Sequence, residues 1–378
     1  MGSVTGSVDQ AGCEWLRYDY SPALMPPDRP DSFTMWRYRD LLPLPDGPVR
    51  FPVPIGGTPL LAAPALRQAL GTPHLWIKDE TRNPTASNKD RATALVIEDG
   101  LRRGVSTITT ASTGNAAVST AFGAAAAGLR AVIFVSADCR PEKTALMTSA
   151  GAWVFQLRAG YAAAVDLSRA AARTFGWLDR NTGANPATVE AKKTVAFEIW
   201  EQLGRRLPDV MMVPVGDGPT LVALDKGFAE LVSCGLAERR PRLIGVQAEH
   251  CQPLVRAWLG TPPGPAELDP GATAADGIAV LRPAIGDAVL DAVRRGGGGM
   301  VAVTENALLD AVAALAGWRA AVEHGHADRS ESVVLLVTGR EKVSGTPADP
   351  NRVAVVDGLD EVERALGGDV LVVPGPDS

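Results

Sequence analysis

Lys78-Asp79-Glu80-Thr81-Arg82-Asn83-Pro84-Thr85-Ala86-Ser87-Asn88-Lys89-Asp90-Arg91 is the stretch whose reading decides the fold. The apolar run Leu75-Trp76-Ile77 delivers it, Asn83-Pro84 signals a turn, and a helix is expected from Ala92 onward. A loop of small residues thus presents Lys89 at the start of a helix. The positive end of a helix dipole disfavours an ammonium, which biases a lysine there toward its neutral, nucleophilic form. Taken alone, the same lysine reads more readily as a solvated surface charge.

Outward from this loop the pattern alternates. Helices are expected at 92–103, 116–127, 143–149 and 162–174, with strands at 106–109, 131–135 and 153–157 and a short strand begun at 176–178. After a loop at 181–186, helices at 193–204, 221–234 and 305–316 alternate with strands at 209–215, 242–247, 300–303 and 332–337. An amphipathic helix at 359–366 and an apolar run, Val370-Leu371-Val372-Val373, follow in the tail. Short apolar strands separated by helices of this length imply parallel sheets covered on both faces, an α/β fold. Residues 1–50 are rich in Pro and aromatics with little periodicity and are expected to form an irregular arm.

Three further loops sit where a strand hands over to a helix or ends. They are Ser112-Thr113-Gly114-Asn115, Gly216-Asp217-Gly218-Pro219-Thr220, and Thr338-Gly339 after Val334-Leu335-Leu336-Val337. Hydroxyls and backbone amides at a helix mouth suit a carboxylate or phosphate, although Ser112 and Thr113 also read as an ordinary helix cap. The glycine loop does not have the Gly-x-Gly-x-x-Gly spacing of a dinucleotide site.

Together these motifs resemble threonine synthases, of the second fold type of pyridoxal phosphate (PLP) enzymes in the tryptophan synthase beta superfamily. The Lys89 loop is similar to that family's Asn-Pro-Thr-Gly-Ser-Phe-Lys-Asp-Arg, and the resemblance runs from about Phe33 to Gly339. Gly56-Gly57-Thr58-Pro59-Leu60 resembles the entry to the catalytic core, and Ala272 to Ile278 resembles Thr-Ile-Ala-Asp-Gly-Ile. The resemblance implies two α/β domains with the active site in the cleft between them. A smaller domain, 92–195, would be nested in a large PLP-binding domain, 51–91 plus 196–378. A homodimer is also implied.

By the same resemblance Lys89 is the Schiff-base lysine and proton-transferring base. Asn115 would lie beside the cofactor ring, and Gly216, Asp217, Gly218 and Thr220 would cradle its phosphate. Thr338 would meet the pyridine nitrogen, making a milder electron sink that favours elimination and replacement over transamination. Thr85, Ser87, Asn88, Ser112, Thr113, Lys143, Asn185, Thr188 and Lys192 are the substrate-side candidates. Pro219 lacks an amide and Asp217 adds a negative charge, both departures from the family's Gly-Asn-Gly-Gly-Asn.

The departure that bears most on function lies in Asn181-Thr182-Gly183-Ala184-Asn185-Pro186-Ala187-Thr188. The family has Asn-Pro-Tyr-Arg there, and its arginine grips the phosphate of phosphohomoserine. Thr188 stands in that arginine's place and cannot form a bidentate clamp. Lys192 replaces a glutamine, Asn88 a phenylalanine and Ala86 a glycine. The cofactor motifs are kept and the substrate end is rewritten. The expected activity is PLP-dependent elimination or replacement on an amino acid, with a second nucleophile in the replacement case. A genuine threonine synthase acting on O-phosphohomoserine and a degenerate binding protein remain as alternatives.

Composition narrows the field further. Forty-three acidic against 37 basic residues, with the arginines scattered, leave no nucleic-acid footprint. No apolar run is long enough to span a bilayer, and the first residues lack the pattern of a signal peptide. Cys13, Cys139, Cys234 and Cys251 form no Cys-x-x-Cys pair, and the four histidines sit in no metal spacing. The family's cysteine-rich N-terminal segment is reduced to Cys13. A cytoplasmic, metal-free enzyme is the expectation.

Overall fold

A computed structural model describes residues 3–8, 14–19, 33–264, 267–310, 312–340 and 346–367. Cys13, Tyr20 and the run 370–373 lie outside the described residues. The strands are β1 (Ser3–Val8), β2 (Glu14–Asp19), β3 (Leu60–Leu61), β4 (Leu75–Asp79), β5 (Thr107–Ala111), β6 (Arg130–Ser136), β7 (Trp153–Leu157), β8 (Leu178–Asp179), β9 (Val210–Pro214), β10 (Arg242–Ala248), β11 (Gly299–Val303), β12 (Val333–Val337) and β13 (Val353–Val355). The helices are α1 (Pro64–Leu70), α2 (Lys89–Arg103), α3 (Asn115–Ala127), α4 (Pro141–Ser149), α5 (Tyr161–Phe175), α6 (Ala187–Gln202), α7 (Pro219–Ser233), α8 (Pro253–Leu259), α9 (Gly286–Arg295), α10 (Glu305–Asp310), α11 (Ala313–Glu323) and α12 (Leu359–Ala365).

The chain divides into two compact units. The first takes Met1–Pro43, Gly56–Arg82 and Val189–Gly339; the second takes Leu44–Ile55, Asn83–Thr188 and Arg340–Ser378. The longest segment of the second unit runs from Asn83 to Thr188 and includes Lys89.

In the first unit six strands lie in the order β11-β10-β9-β12-β4-β3, parallel except for the short β3. Alternate side chains go to opposite faces and both faces are buried. Met211, Val213, Val334 and Leu336 join one core with α6, α7 and α9. Val210, Met212, Val333 and Leu335 join the other, around Trp318 of α11. The indole of Trp318 is fully buried and donates to Thr72 Oγ1 at 3.2 Å, which satisfies its one polar atom.

Beneath β4 a polar knot takes the place of apolar packing. The Lys78 ammonium donates to Thr58 O (2.7 Å), Glu198 Oε2 (2.7 Å) and Gln202 Oε1 (2.9 Å). Lys78 and Glu198 are both fully buried, and Glu198 also accepts from Gly57 N at 2.9 Å. A buried charge pair persists only when its remaining hydrogen-bonding positions are filled, as they are here.

The second unit carries five parallel strands in the order β13-β7-β6-β5-β8. α3 packs on β5 and β6, as does α5. Val132, Phe134, Phe155 and Leu157 close a core with Phe175 of α5 and Val362 of α12.

The irregular arm expected over 1–50 holds an antiparallel pair, β1 with β2, and a 3-10 segment at Met35–Leu41.

Candidate active site

The second unit brings Lys89 and Asn115 to neighbouring helix starts. α2 begins at Lys89 itself, three residues before the sequence expectation, because Asp90 reaches back to hold the loop. The Thr85 N–H and hydroxyl both donate to the Asp90 carboxylate, at 2.7 and 2.5 Å. Lys89 N donates to Ser87 Oγ at 3.3 Å, and Ala86 O accepts from Arg340 N at 3.1 Å. Thr85 and Ser87, expected on the substrate side, are buried and shape the lysine loop. Asn88 is also buried, at the N-cap position, and its side chain makes no capping bond. Ala86 holds φ at +51°, the left-handed conformation for which the similar loops carry glycine.

At the end of β5, Ser112 N donates to Phe134 O (3.1 Å) and Ser112 Oγ accepts from Gly114 N (3.1 Å). This turn starts α3 at Asn115, and Thr113 and Asn115 are both half-buried. Ser119 Oγ donates to Thr93 Oγ1 at 2.8 Å, and a methyl group on Gly123 would stand 2.8 Å from Thr93 Cγ2 and 3.1 Å from Ile97 Cδ1. Matching 93 with 119 and 97 with 123 makes the two helices parallel. One turn back, the same register sets Lys89 level with Asn115.

The remaining substrate-side candidates of this unit follow carboxyl ends of the same parallel sheet, the edge where α/β proteins bind ligands. Lys143 lies in the first turn of α4, after β6. Asn185 follows β8, but its side chain is engaged locally: Nδ2 donates to Asp179 O (2.9 Å) and Oδ1 accepts from Ala187 N (3.0 Å). Thr188 is buried, and its hydroxyl donates to Asn185 O at 2.8 Å. The Thr188 side chain is thus bonded to its own turn. The cap at Ala187 also starts α6 six residues before the expected 193.

In the first unit, β9 and β12 are parallel neighbours with Met212 opposite Leu335, so Val215 and Thr338 come level just past their carboxyl ends. The loop Gly216-Asp217-Gly218 leaves that edge and α7 begins at Pro219, whose missing N–H costs nothing at a first helical position. Thr220 is buried in the first turn. Asp217 Oδ1 accepts from Ala284 N at 3.3 Å, which turns that oxygen toward the 284 segment.

Gly218 is required by its surroundings, and Gly216 is closely packed. Gly218 has φ +94°, and a Cβ on it would stand 2.1 Å from Val289 Cγ2. A Cβ on Gly216 would stand 3.2 Å from Ile278 Cα, so the segment resembling Thr-Ile-Ala-Asp-Gly-Ile backs this loop. The two glycines of the loop, the first-turn amides of α7 and the Thr220 hydroxyl make a cradle that fits a phosphate group, and the Thr338 hydroxyl lies one strand away. These donors fit PLP.

Lys192 is fully buried on α6 in the first unit. Beside it, the Lys193 ammonium is held by Glu190 Oε2 (2.8 Å) and Glu230 Oε1 (2.9 Å), and Lys226 of α7 pairs with Glu190. Burial pushes the Lys226 pKa down and that of Glu230 up. This network braces α6 against the helix that starts at the glycine loop. Among the described residues no group of three or more His, Cys, Asp or Glu could hold a metal ion, and no helix is long and apolar enough to cross a membrane.

Three polar residues that the sequence did not single out, Thr93, Ser119 and Arg180, are buried in this unit. Thr93 and Ser119 each lie four residues after a singled-out residue, Lys89 and Asn115, and a hydroxyl at the same offset from both was the available signal.

The family described as pyridoxal-phosphate dependent enzyme matches residues 52–339. Threonine synthase of Methanosarcina acetivorans is 31% identical over 341 residues, covering 85% of this chain and 84% of that protein. Threonine synthase of Mycobacterium tuberculosis H37Rv is 34% identical over 352 residues, covering 85% and 94%. Among solved structures, maize serine racemase superposes with a TM-score of 0.62 at 18% identity, covering 75% of this chain and 87% of that one. At that identity the likeness is one of fold, the second fold type of PLP enzymes.

Proposed function

This chain belongs to the pyridoxal-phosphate dependent enzymes, and we propose that it eliminates or replaces a β- or γ-substituent on a small amino acid without the arginine clamp for a substrate phosphate. The observation that carries this is the buried Thr188, whose hydroxyl is bonded to Asn185 O. A hydroxyl so placed contributes no charge and no fork to an incoming phosphate.

Bound here, PLP would supply an electron sink for the charge left on the substrate's α-carbon. Lys89 Nζ would hold the cofactor and then take the α-proton, helped by the start of α2, which disfavours its protonated form. Asn115, level with Lys89, would orient the ring. Gly216, Gly218 and Thr220 would hold the phosphate, with Asp217 turned to Ala284. Thr338 would meet the ring nitrogen with a hydroxyl, which donates no full proton. Ser112 and Thr113 would bind the substrate carboxylate, while Thr85, Ser87 and Asn88 shape the loop around Lys89. The protein would act in the cytoplasm as a homodimer, which light scattering of the purified chain tests.

The specific test offers O-phosphohomoserine, O-phosphoserine, O-acetylserine, serine and threonine in turn, measuring phosphate, ammonia, oxoacid and amino-acid products. Turnover confined to unphosphorylated amino acids supports the proposal. Efficient conversion of O-phosphohomoserine to threonine and phosphate overturns it in favour of threonine synthase. That second reading is favoured by the 31–34% identity to proteins of that name, with Lys143 and Lys192 in the arginine's role. No lysine-dependent visible band with added PLP would instead indicate a degenerate binding protein.

A further inference from the structure

Arg180 follows β8, is almost wholly buried, and is used by none of the chemistry above. Its N–H donates to Thr109 O at 3.0 Å, which fixes its backbone against β5. Its guanidinium points at the first turn of α2. Nε donates to Thr93 Oγ1 at 3.3 Å, and Nη2 reaches Lys89 O at 3.5 Å. Lys89 O and Thr93 Oγ1 are one turn apart on one face of the helix, so the planar fork spans that turn. Thr93 Oγ1 also receives the Ser119 hydroxyl, one turn inside α3 from Asn115. A continuous set of hydrogen bonds therefore runs from the β5–β8 sheet edge through the first turn of α2 to α3.

We propose that Arg180, acting through Thr93 and Ser119, is the positioning residue that fixes the height and rotation of Lys89 relative to Asn115. A buried guanidinium is costly to desolvate, and simple support of a helix needs only an apolar side chain. A fork bonded to two groups on one turn restrains both sliding and rotation of that turn. Catalytic groups tolerate little such movement, because a misplacement of about 1 Å can cost about a hundredfold in rate. The proposal rests on the assignment of Lys89 and Asn115 to the PLP site.

The test uses the full chain loaded with PLP and the variants Thr93→Val, Ser119→Ala and Arg180→Lys, with Thr93→Ser as the rescue. The readouts are the PLP Kd, the visible circular dichroism of the bound cofactor and the urea midpoint. Thr93→Val and Arg180→Lys should weaken PLP binding by about tenfold and change the visible dichroism, with Ser119→Ala showing a smaller effect of the same kind. Thr93→Ser, which keeps the hydroxyl, should restore both signals.

Variants that lower the urea midpoint while Kd and dichroism stay at the wild-type values overturn the proposal and leave a structural role. So does failure of both Thr93→Val and Arg180→Lys to fold. A wild-type chain without a visible band, or a band that survives Lys89→Ala, overturns the lysine assignment and this proposal with it.

Discussion

Gly218→Ala is the sharpest perturbation of the phosphate cradle, and its cost divides into two parts that can be separated. The backbone at φ +94° is disfavoured for any residue with a Cβ, by about 1–2 kcal/mol. The added methyl would lie 2.1 Å from Val289 Cγ2, and relieving such an overlap typically costs about 1–3 kcal/mol. Loss of glycine freedom in the unfolded chain returns about 0.4–1 kcal/mol. The net expectation is a destabilisation of about 1–5 kcal/mol, read from urea unfolding by tryptophan fluorescence. Val289→Ala removes the overlapping methyl but leaves φ unchanged. The pair should therefore be coupled favourably by about 1–3 kcal/mol in a double-mutant cycle, while the backbone part persists. PLP affinity should fall in Gly218→Ala by about tenfold, because the amides around the loop move. Additivity within about 0.5 kcal/mol refutes the steric argument. An unchanged PLP Kd refutes the assignment of the loop to the phosphate.

Three further perturbations follow from features away from this loop. Glu198→Ala strands the buried Lys78 ammonium and should cost about 3–5 kcal/mol, whereas the double variant Lys78→Met/Glu198→Leu should cost less than either single change; a Glu198→Ala loss below about 1 kcal/mol would sink this account. Burial raises the Asp179 pKa above the ordinary aspartate range, so its contribution to stability is complete below about pH 3.9 and is lost as pH rises through the folded value. Asp179→Asn keeps an acceptor for Asn181 and should gain on the wild type across that window; parallel urea midpoints at both ends of it would contradict the sign. Ala86→Gly relieves the positive φ at the cost of glycine's freedom and should stabilise by up to about 1 kcal/mol. A clear loss of stability in that variant would show that the buried Ala86 methyl outweighs the strain.

Local signals carried most of what was legible in the sequence. The strands at β9, β10 and β12 fell close to the expected positions because four or five consecutive apolar residues buried on both faces leave few other readings. Lys89 and Asn115 were placed at helix starts by turn residues directly before them. What stayed hidden depends on partners distant in sequence. β13 owes its existence to pairing with β7, some 200 residues earlier in the chain. The early start of α6 depends on Asn185 bonding Ala187, which a loop rich in Asn, Gly and Pro does not announce. Arg180 looked like one more scattered arginine, because nothing near it in sequence reveals that its guanidinium is buried under Thr93.

The strand order β11-β10-β9-β12-β4-β3 also has a consequence for synthesis. β12 separates β4 from β9, yet it is the last of the six to be made. Until Val337 leaves the ribosome, β4 and β9 each have an open hydrogen-bonding edge facing the gap that β12 will fill. β5, β6, β7 and β8 of the second unit, by contrast, are all complete by Asp179 and can pair while translation continues. Nascent chains stalled between residues 180 and 330 should therefore protect the β5 to β8 sheet from protease before the first unit's core, and chaperone dependence should concentrate on the half that waits for its central strand.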